Sequence, residues 1–512
     1  MSKLRYVHHN FFTIALNAVS GLALTVLAAR CLTPAGMGAY SLLFWLMTVA
    51  SILINLGGVN TTLKHVAEAR GRGDELALKG VLAYGLRAWA GRTVVMALGW
   101  LAVASSLEAL YAQHSFDGAL PCALMFIVPF TLFNWLVGAC QGMQQYAAVA
   151  RATLAWASLA VGGTLVVAIV GGHLLALLLV QASAAIFAVS VLLSSLNALY
   201  PRWWKENVTP EQKAQLRRYS VPVAGMVILD ALIWQRSGVF FLGQWAAPEQ
   251  VAHYALAFGL SQMLMRAFPG TLVGLLIPSM ASAAGAGRMD EIAQVYRSAG
   301  RWMALLAIPV GIVSAGAAGN LLEVLYGKNY SPALQPFWVL LFAGAATMIW
   351  GFPASSVLYA LNGQHRLLAV GAGAAVFYTA LAVYLIPLHG ALGAAWATAG
   401  AQIATLVPGV LCARRCLPGL SQDWKAFGVI GAAGFLLAGV LFLTQWVSSE
   451  PGGWLVGSLL GGGGYAFIVW WFGAITPIER QGVGRAVRLR IGCEKTRLRR
   501  VTTVTFGTRP RV

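Results

Sequence analysis

Charge is scarce in this sequence. Asp, Glu, Lys and Arg make up 10% of its 512 residues, where a soluble protein carries about 25%. Acids are scarcest, 16 against 35 Lys and Arg, leaving a formal charge of +19. The six cysteines (Cys31, Cys122, Cys140, Cys412, Cys416, Cys493) show no metal-ligand spacing. Only Cys31 falls at an outer edge, so neither a metal site nor a disulfide is expected. No Gly-x-x-x-x-Gly-Lys run is present, which argues against a phosphate-cradling nucleotide domain, and no cofactor is expected. Ten-residue segments of alternating hydrophobicity are missing, which excludes a membrane β-barrel. The N-terminus lacks a small-residue cleavage site, so the first apolar run reads as an anchor and not as a signal peptide.

Apolar residues fill the gap. They reach 59% of the chain, with a mean hydropathy of +0.72. Runs of about 20 apolar residues recur, each long enough to cross a ~30 Å hydrocarbon core. We read an all-α polytopic membrane protein of about fourteen transmembrane helices. They fall near 10–30, 38–60, 93–112, 119–140, 150–170, 174–199, 219–242, 252–280, 301–320, 335–360, 367–386, 390–411, 426–446 and 454–473. Of the 35 Lys and Arg, 31 sit at the termini or in alternate loops, Arg30 and Lys328 lie on the other side, and Arg236 and Arg266 lie within spans. The positive-inside rule then places both termini in the cytoplasm, and nucleic acid is not the partner this charge serves.

The chain repeats itself. Leu32-Thr-Pro34 through Tyr40 is answered by Ala246-Ala-Pro248 through Tyr254, and Leu107-Glu-Ala-Leu-Tyr111 by Leu322-Glu-Val-Leu-Tyr326, at offsets of 214 and 215. Matches in one order at one offset indicate a duplicated unit of roughly 200 residues. Each copy holds six crossings, an even number, so the copies are parallel. We therefore expect an N-lobe at 1–200, an inter-lobe loop at 201–218 and a C-lobe at 219–415. Two extra helices follow at 416–478, and a basic cytoplasmic tail at 479–512. The loop's Trp203 and Trp204, among basic residues, read as an interfacial anchor.

Charge inside a span is costly and marks function. Asp230 and Arg236 lie in the seventh span and Arg266 in the eighth. At 1.5 Å per residue, Asp230 is roughly 16 Å in from one face and Arg266 roughly 20 Å in from the other, near the midplane. An ion pair between Asp230 and Arg266 that merely joins the two helices is the competing explanation. Polar stripes at helical spacing add Asn17, Asn55, Asn134 and Gln262 as candidate cavity-lining residues, against interhelical hydrogen bonding as the plainer role. Arg30, at the outer end of the first span, either meets an anionic headgroup or snorkels. The short outer loops leave no paired acids for a membrane glycosyltransferase or polymerase.

Leu27-Ala-Ala-Arg30-Cys-Leu-Thr-Pro34-Ala-Gly-Met-Gly38-Ala-Tyr40 resembles the first outer loop of polysaccharide (O-antigen and exopolysaccharide) flippases. Asn55-Leu-Gly57, Leu325-Tyr-Gly327-Lys-Asn-Tyr330, Leu361-Asn362-Gly363 and Leu385-Ile-Pro387 through Ala395 are similar too. The resemblance extends over most of 1–415. It implies membership of the multidrug/oligosaccharidyl-lipid/polysaccharide exporter superfamily. It also implies a two-lobed bundle whose central cavity alternates between the two sides of the bacterial inner membrane. The implied cargo is an undecaprenyl-pyrophosphate-linked oligosaccharide for lipopolysaccharide or exopolysaccharide biosynthesis. The chain is then not an enzyme. Its partners are that substrate, membrane lipids, and the glycan polymerase and glycosyltransferases of the pathway; we expect a monomer. Arg236 and Arg266 would attract the pyrophosphate, Asp230 would balance them, and Gln262, Asn17, Asn55 and Asn134 would meet the sugars. The first span has no acid where ion-coupled extruders carry one; Asn17 stands there. A multidrug exporter of the same superfamily is the alternative.

Overall fold

The computed structural model describes residues 2–116, 118–234, 237–267, 270–361, 363–447 and 451–474. The first half of the chain folds as α1 (Ser2–Cys31), α2 (Pro34–Asn55), α3 (Gly58–Gly71), α4 (Glu75–Leu110), the single turn α5 (Ala119–Cys122), α6 (Leu124–Gly142), α7 (Tyr146–Val170) and α8 (Leu174–Leu199). The second half holds α9 (Pro210–Trp234), α10 (Gly238–Trp245), α11 (Pro248–Ala267), α12 (Gly270–Gly285), α13 (Met289–Gly316), α14 (Ala318–Tyr326), α15 (Leu334–Ala346), α16 (Phe352–Ala360) and α17 (Gln364–Cys416). Then come α18 (Trp424–Val447) and α19 (Pro451–Trp471). Among the described residues there is no strand.

The fourteen crossings expected from the apolar runs are these helices, some of them interrupted. Among the described residues, nine helices are long and apolar enough to cross a membrane, with shorter apolar stretches at Ala15–Cys31 and Val456–Trp471. α17 holds two crossings, because Gly390 at φ 54° breaks the helix where only glycine is comfortable. The paired segments α9–α10 and α11–α12 make the seventh and eighth crossings. Helices also run past the apolar stretches: α3 extends to Gly71, and α4 begins at Glu75, well before the run at 93. Hydropathy marks hydrocarbon thickness, whereas a helix persists wherever caps and ion pairs support it. Asp74 caps α4 by accepting from Ala77 N (2.9 Å), and Lys79 pairs with Glu75 at 2.8 Å.

Both copies of the Pro-containing repeat start a helix. Pro34 opens α2 behind the Thr33 cap, whose Oγ1 accepts from Gly36 N at 3.1 Å, and Pro248 opens α11. The packing is duplicated as well. In the first half α1 lies on α7, α7 on α8, α6 on α8, and α3 on both α4 and α6. In the second half α9 and α10 lie on α17, α11 on α15, and α12 on α13 and α16. The halves meet chiefly through α2 and α11, the matching helices of the two copies. At that crossing a Cβ on Gly38 would stand 1.9 Å from the Pro248 carbonyl oxygen, so only glycine fits. α18 and α19 pack on each other and on α13, outside the duplicated pattern.

The cores show where the halves join and where they part. One large core draws on both, and holds Leu42 and Met47 of the first half with Ala252, Tyr254 and Phe337 of the second. Towards the end carrying the basic loops it divides. One core (Trp135, Leu136, Leu192, Trp203) belongs to the first half, and another (Met280, Tyr296, Leu358, Ala413) to the second. Trp203 corrects the expectation of an interfacial anchor. It is buried, stacks on Trp135 at 6.2 Å, and donates Nε1–H to Asn197 Oδ1 at 2.9 Å. Trp204 alone is exposed. The loop is fixed because Arg87 reaches Asn207 Oδ1 and the Trp204 and Glu206 carbonyls.

Candidate functional site

Between the two separated cores lies a cavity of about 620 Å³. α3 supplies Asn60, Leu63 and Lys64 from the first half. The second half supplies Tyr219, Val223 and Val227 of α9, Tyr359 and Ser355 of α16, and Leu367, Leu368 and Thr405 of α17. The wall is mostly apolar, with aliphatic and aromatic side chains and hydroxyls spaced along it. Those of Ser355 and Thr405 donate to the Gly351 and Gln402 carbonyls, four and three residues back, at 2.9 and 2.8 Å, which leaves their lone pairs free to accept. Thr347 and Gly351 face the same space from a five-residue π-helical turn, Thr347–Gly351, between α15 and α16. Such turns insert one extra residue into a helix and re-aim its side chains. The sequence carries no signal for it.

Lys64 is the cation described in the cavity wall. Its Nζ sits 4.0 Å from the centroid of the Tyr219 ring and 3.8 Å from Glu68 Oε1. The side chain keeps 42% of its surface exposed, so a cation–π contact and a loose i,i+4 pair hold it weakly. Behind it, His65 Nδ1 lies 3.1 Å from Glu68 Oε2, and the imidazole meets the Tyr219 ring edge-on at 5.5 Å. His65 is buried and its Nε2 has no hydrogen-bond partner among the described residues. Burial pushes its pKa below the ordinary value, against the pull of Glu68. These four side chains join α3 to α9 across the boundary between the halves. Close by, Gly57 at φ +73° lets the chain turn from α2 into α3, and a Cβ there would lie 2.9 Å from Val223 Cγ1.

The residues singled out from sequence are spread more widely. Arg236 lies outside the described residues, and so do the side chains of Asp230 and Arg266. Position 230 lies on α9, the helix that supplies Tyr219, Val223 and Val227 to the cavity. Gln262 on α11 and Asn134 on α6 are half-buried, away from the cavity wall. Asn17 is exposed on α1. The Asn55 Oδ1 is buried at the end of α2 with no partner among the described residues. Much of the polar striping is satisfied locally: Ser20, Thr48 and Ser51 each donate to the carbonyl four residues back. Arg30 stands at the other end of the bundle, where its guanidinium donates to the Val324 and Leu325 carbonyls. That is the C-terminal end of α14, where a cation is favoured. Lys64 was missed because it counts as a loop charge once the apolar run has ended.

Residues 26–335 match the family model described as "Polysaccharide biosynthesis protein". No curated protein matches the sequence. Among solved structures, the chain is similar to the lipid II flippase MurJ in an inward closed conformation, with a TM-score of 0.73 at 12% identity, covering 92% of this chain and 99% of that one. It is also similar to a multidrug-resistance MATE transporter of the MOP superfamily, inward-facing, with a TM-score of 0.65 at 13% identity over 79% of this chain and 95% of that one. A MOP-superfamily transporter from Pyrococcus furiosus gives a TM-score of 0.58 at 13% identity, over 81% of this chain and 95% of that one. At such identities the likeness establishes the fold: a multi-pass helical membrane bundle.

Proposed function

This chain belongs to the polysaccharide biosynthesis protein family, and from that premise we propose that it flips a lipid-linked oligosaccharide across the bacterial inner membrane by alternating access. The observation that supports this reading is the division of the cores. A shared core closes one end of the bundle, and two separate cores flank a cavity at the basic end. A cavity between halves that are fused at one end suits a cargo that enters from the cytoplasm. A cation facing a mostly apolar cavity with only weak partners of its own is available to attract pyrophosphate. Lys64 stands in the wall, and Arg236 and Arg266, balanced by Asp230, are the further cations of this reading. Gln262, Asn17, Asn55 and Asn134 would meet neutral sugars as the cavity changes shape, and Arg30 would lie near the exit. The prenyl tail remains in lipid while the head crosses, so the cavity need hold only the pyrophosphate and part of the glycan. No bond is made or broken, so the chain acts as a carrier and not as an enzyme. Its partners in this reading are membrane lipids and the glycosyltransferases and polymerase that make and extend the glycan.

The test uses a strain that lacks this chain and accumulates its lipid-linked glycan. Wild type is expected to restore surface polysaccharide, and Lys64→Ala, Arg236→Ala and Arg266→Ala at matched membrane levels to restore much less. Full restoration by all three variants would remove the cationic site. Efflux of a cationic dye by wild type without restored polysaccharide would replace this reading with a multidrug exporter.

A further inference from the structure

At the end opposite the cavity, the two halves hold each other by contacts that repeat across the duplication. Gly243, near the end of α10, offers its carbonyl to two donors from the first half: Gln113 Nε2 at 2.8 Å and His114 Nε2 at 3.2 Å. Both follow the end of α4. Ala29, near the end of α1, offers its carbonyl to Tyr330 Oη of the second half at 3.0 Å, and Tyr330 follows the end of α14. Ala29 and Gly243 are 214 residues apart, the offset of the duplication, and the donor segments begin at the matching Tyr111 and Tyr326. The rings repeat too. Tyr111 meets His114 at 6.3 Å and 70°, and Tyr326 meets Tyr330 at 6.3 Å and 69°. Arg30, next to Ala29, adds its bonds to the Val324 and Leu325 carbonyls. Close approach is built into one side: a Cβ on Gly243 would lie 3.0 Å from the Tyr111 ring.

We infer that these contacts form a reciprocal gate, in which each repeat's α4- or α14-following segment grips the first-helix carbonyl of the other repeat. The two clasps close the end away from the cavity and release together when that end opens. This rests on the alternating-access part of the reading above. The chemistry suits a device that must open. Apart from Arg30, whose guanidinium is exposed, each clasp bonds neutral side chains to backbone carbonyls, bonds that water replaces at small net cost. A buried ion pair would instead leave a bare charge when parted. The carbonyls accept these bonds beyond the helical ladder because they lie in the last turns of α1 and α10, where no downstream amide takes them. Because the halves are rigid helical bundles, loosening one clasp shifts the whole equilibrium and not one loop.

Coupling between the clasps is therefore the decisive property. Amide hydrogen exchange is measured by mass spectrometry on the full chain in lipid nanodiscs, for wild type, Tyr330→Phe and Gln113→Ala. Tyr330→Phe keeps the ring and removes the hydroxyl proton shared between the Ala29 and Leu32 carbonyls. It is expected to raise exchange about fivefold in residues 110–116, on the other clasp, as one lost hydrogen bond of about 1 kcal/mol predicts. Gln113→Ala is expected to do the same in residues 324–331. Unchanged exchange in α2 shows that the bundle remains folded. If each variant raises exchange only beside its own position, the clasps are independent packing contacts and the gate is wrong. Exchange reads the closure without any substrate, so this failure is separate from a failure to restore surface polysaccharide.

Discussion

Lys64 carries a charge whose partners are weak. Glu68 lies 3.8 Å away, the Tyr219 ring 4.0 Å away, and the ammonium keeps contact with solvent. An anionic headgroup can displace both partners at little cost, which a buried bidentate pair would not allow. Lys64→Arg, which keeps the charge, should retain most of the flipping activity in the complementation assay. Lys64→Gln should lose about tenfold, the effect of one charge-assisted hydrogen bond of roughly 1.4 kcal/mol. Equal activity of the two would mean that the charge does not act. His114 makes a pH prediction. Its Nδ1 is buried without a partner among the described residues, and burial lowers its pKa, against the pull of the Gly243 carbonyl and the Glu249 carboxylate. A histidine whose pKa is depressed in the closed form binds its proton more readily once released. The closed form thus has its full stability above the ordinary value of 6.5 and loses it as pH falls below that value. Protection factors for residues 110–116 should drop between pH 7.5 and 5.5 in wild type and stay level in His114→Gln. Arg30 shows the limit of reading single residues: its sequence marks the edge of a span, and its partners, 294 and 295 positions away, emerge only from the fold.

The helices were more legible than their interruptions. Apolar length and the Lys/Arg alternation disclose the crossings, because hydrocarbon thickness and backbone hydrogen bonding leave few other solutions. Gly390, Gly57 and the π turn at Thr347–Gly351 are a matter of local backbone geometry, and only the glycines leave a mark in sequence. The Leu32–Tyr40 stretch, visible from its second copy, proves to be where the copies touch, through α2 and α11. Gly38 sets the closeness of that contact, since any Cβ would enter the Pro248 peptide. Gly38→Val should therefore force the helices apart at a cost on the order of 3 kcal/mol. It is read as a lower melting temperature of the purified full-length protein than that of Gly21→Val, where nothing lies within 4 Å of the added carbon. Equal melting temperatures would show that the crossing is loose enough to absorb the side chain.

At the scale of the molecule, the two halves repeat one packing pattern and share a core at one end only. The duplication was legible from the offset; the asymmetry of the cores was not, since it depends on which faces of α2 and α11 meet. In a membrane, lipid tails are as apolar as leucine, so apolar burial alone does not hold lobes together; close packing and hydrogen bonds must. The Gly38–Pro248 approach, the Gln113, His114 and Tyr330 bonds, and the Lys64–Tyr219 contact supply these. The halves are therefore separable in sequence while bound in space. Cutting between residues 206 and 207, in the loop before α9, removes no contact of the shared core. Fragments 1–206 and 207–512, produced together, should co-purify from detergent and restore surface polysaccharide in part, although Arg87 loses the covalent link between its Glu206 and Asn207 partners. Introducing Gly38→Val and Tyr330→Phe into the split pair should sharply lower co-purification, because no loop then compensates for the lost fit. If the fragments never associate, the loop holds the lobes together and the packing at α2 and α11 is incidental. If the doubly substituted fragments still associate fully, the lobes are held elsewhere than at the α2–α11 crossing and the Tyr330 bond.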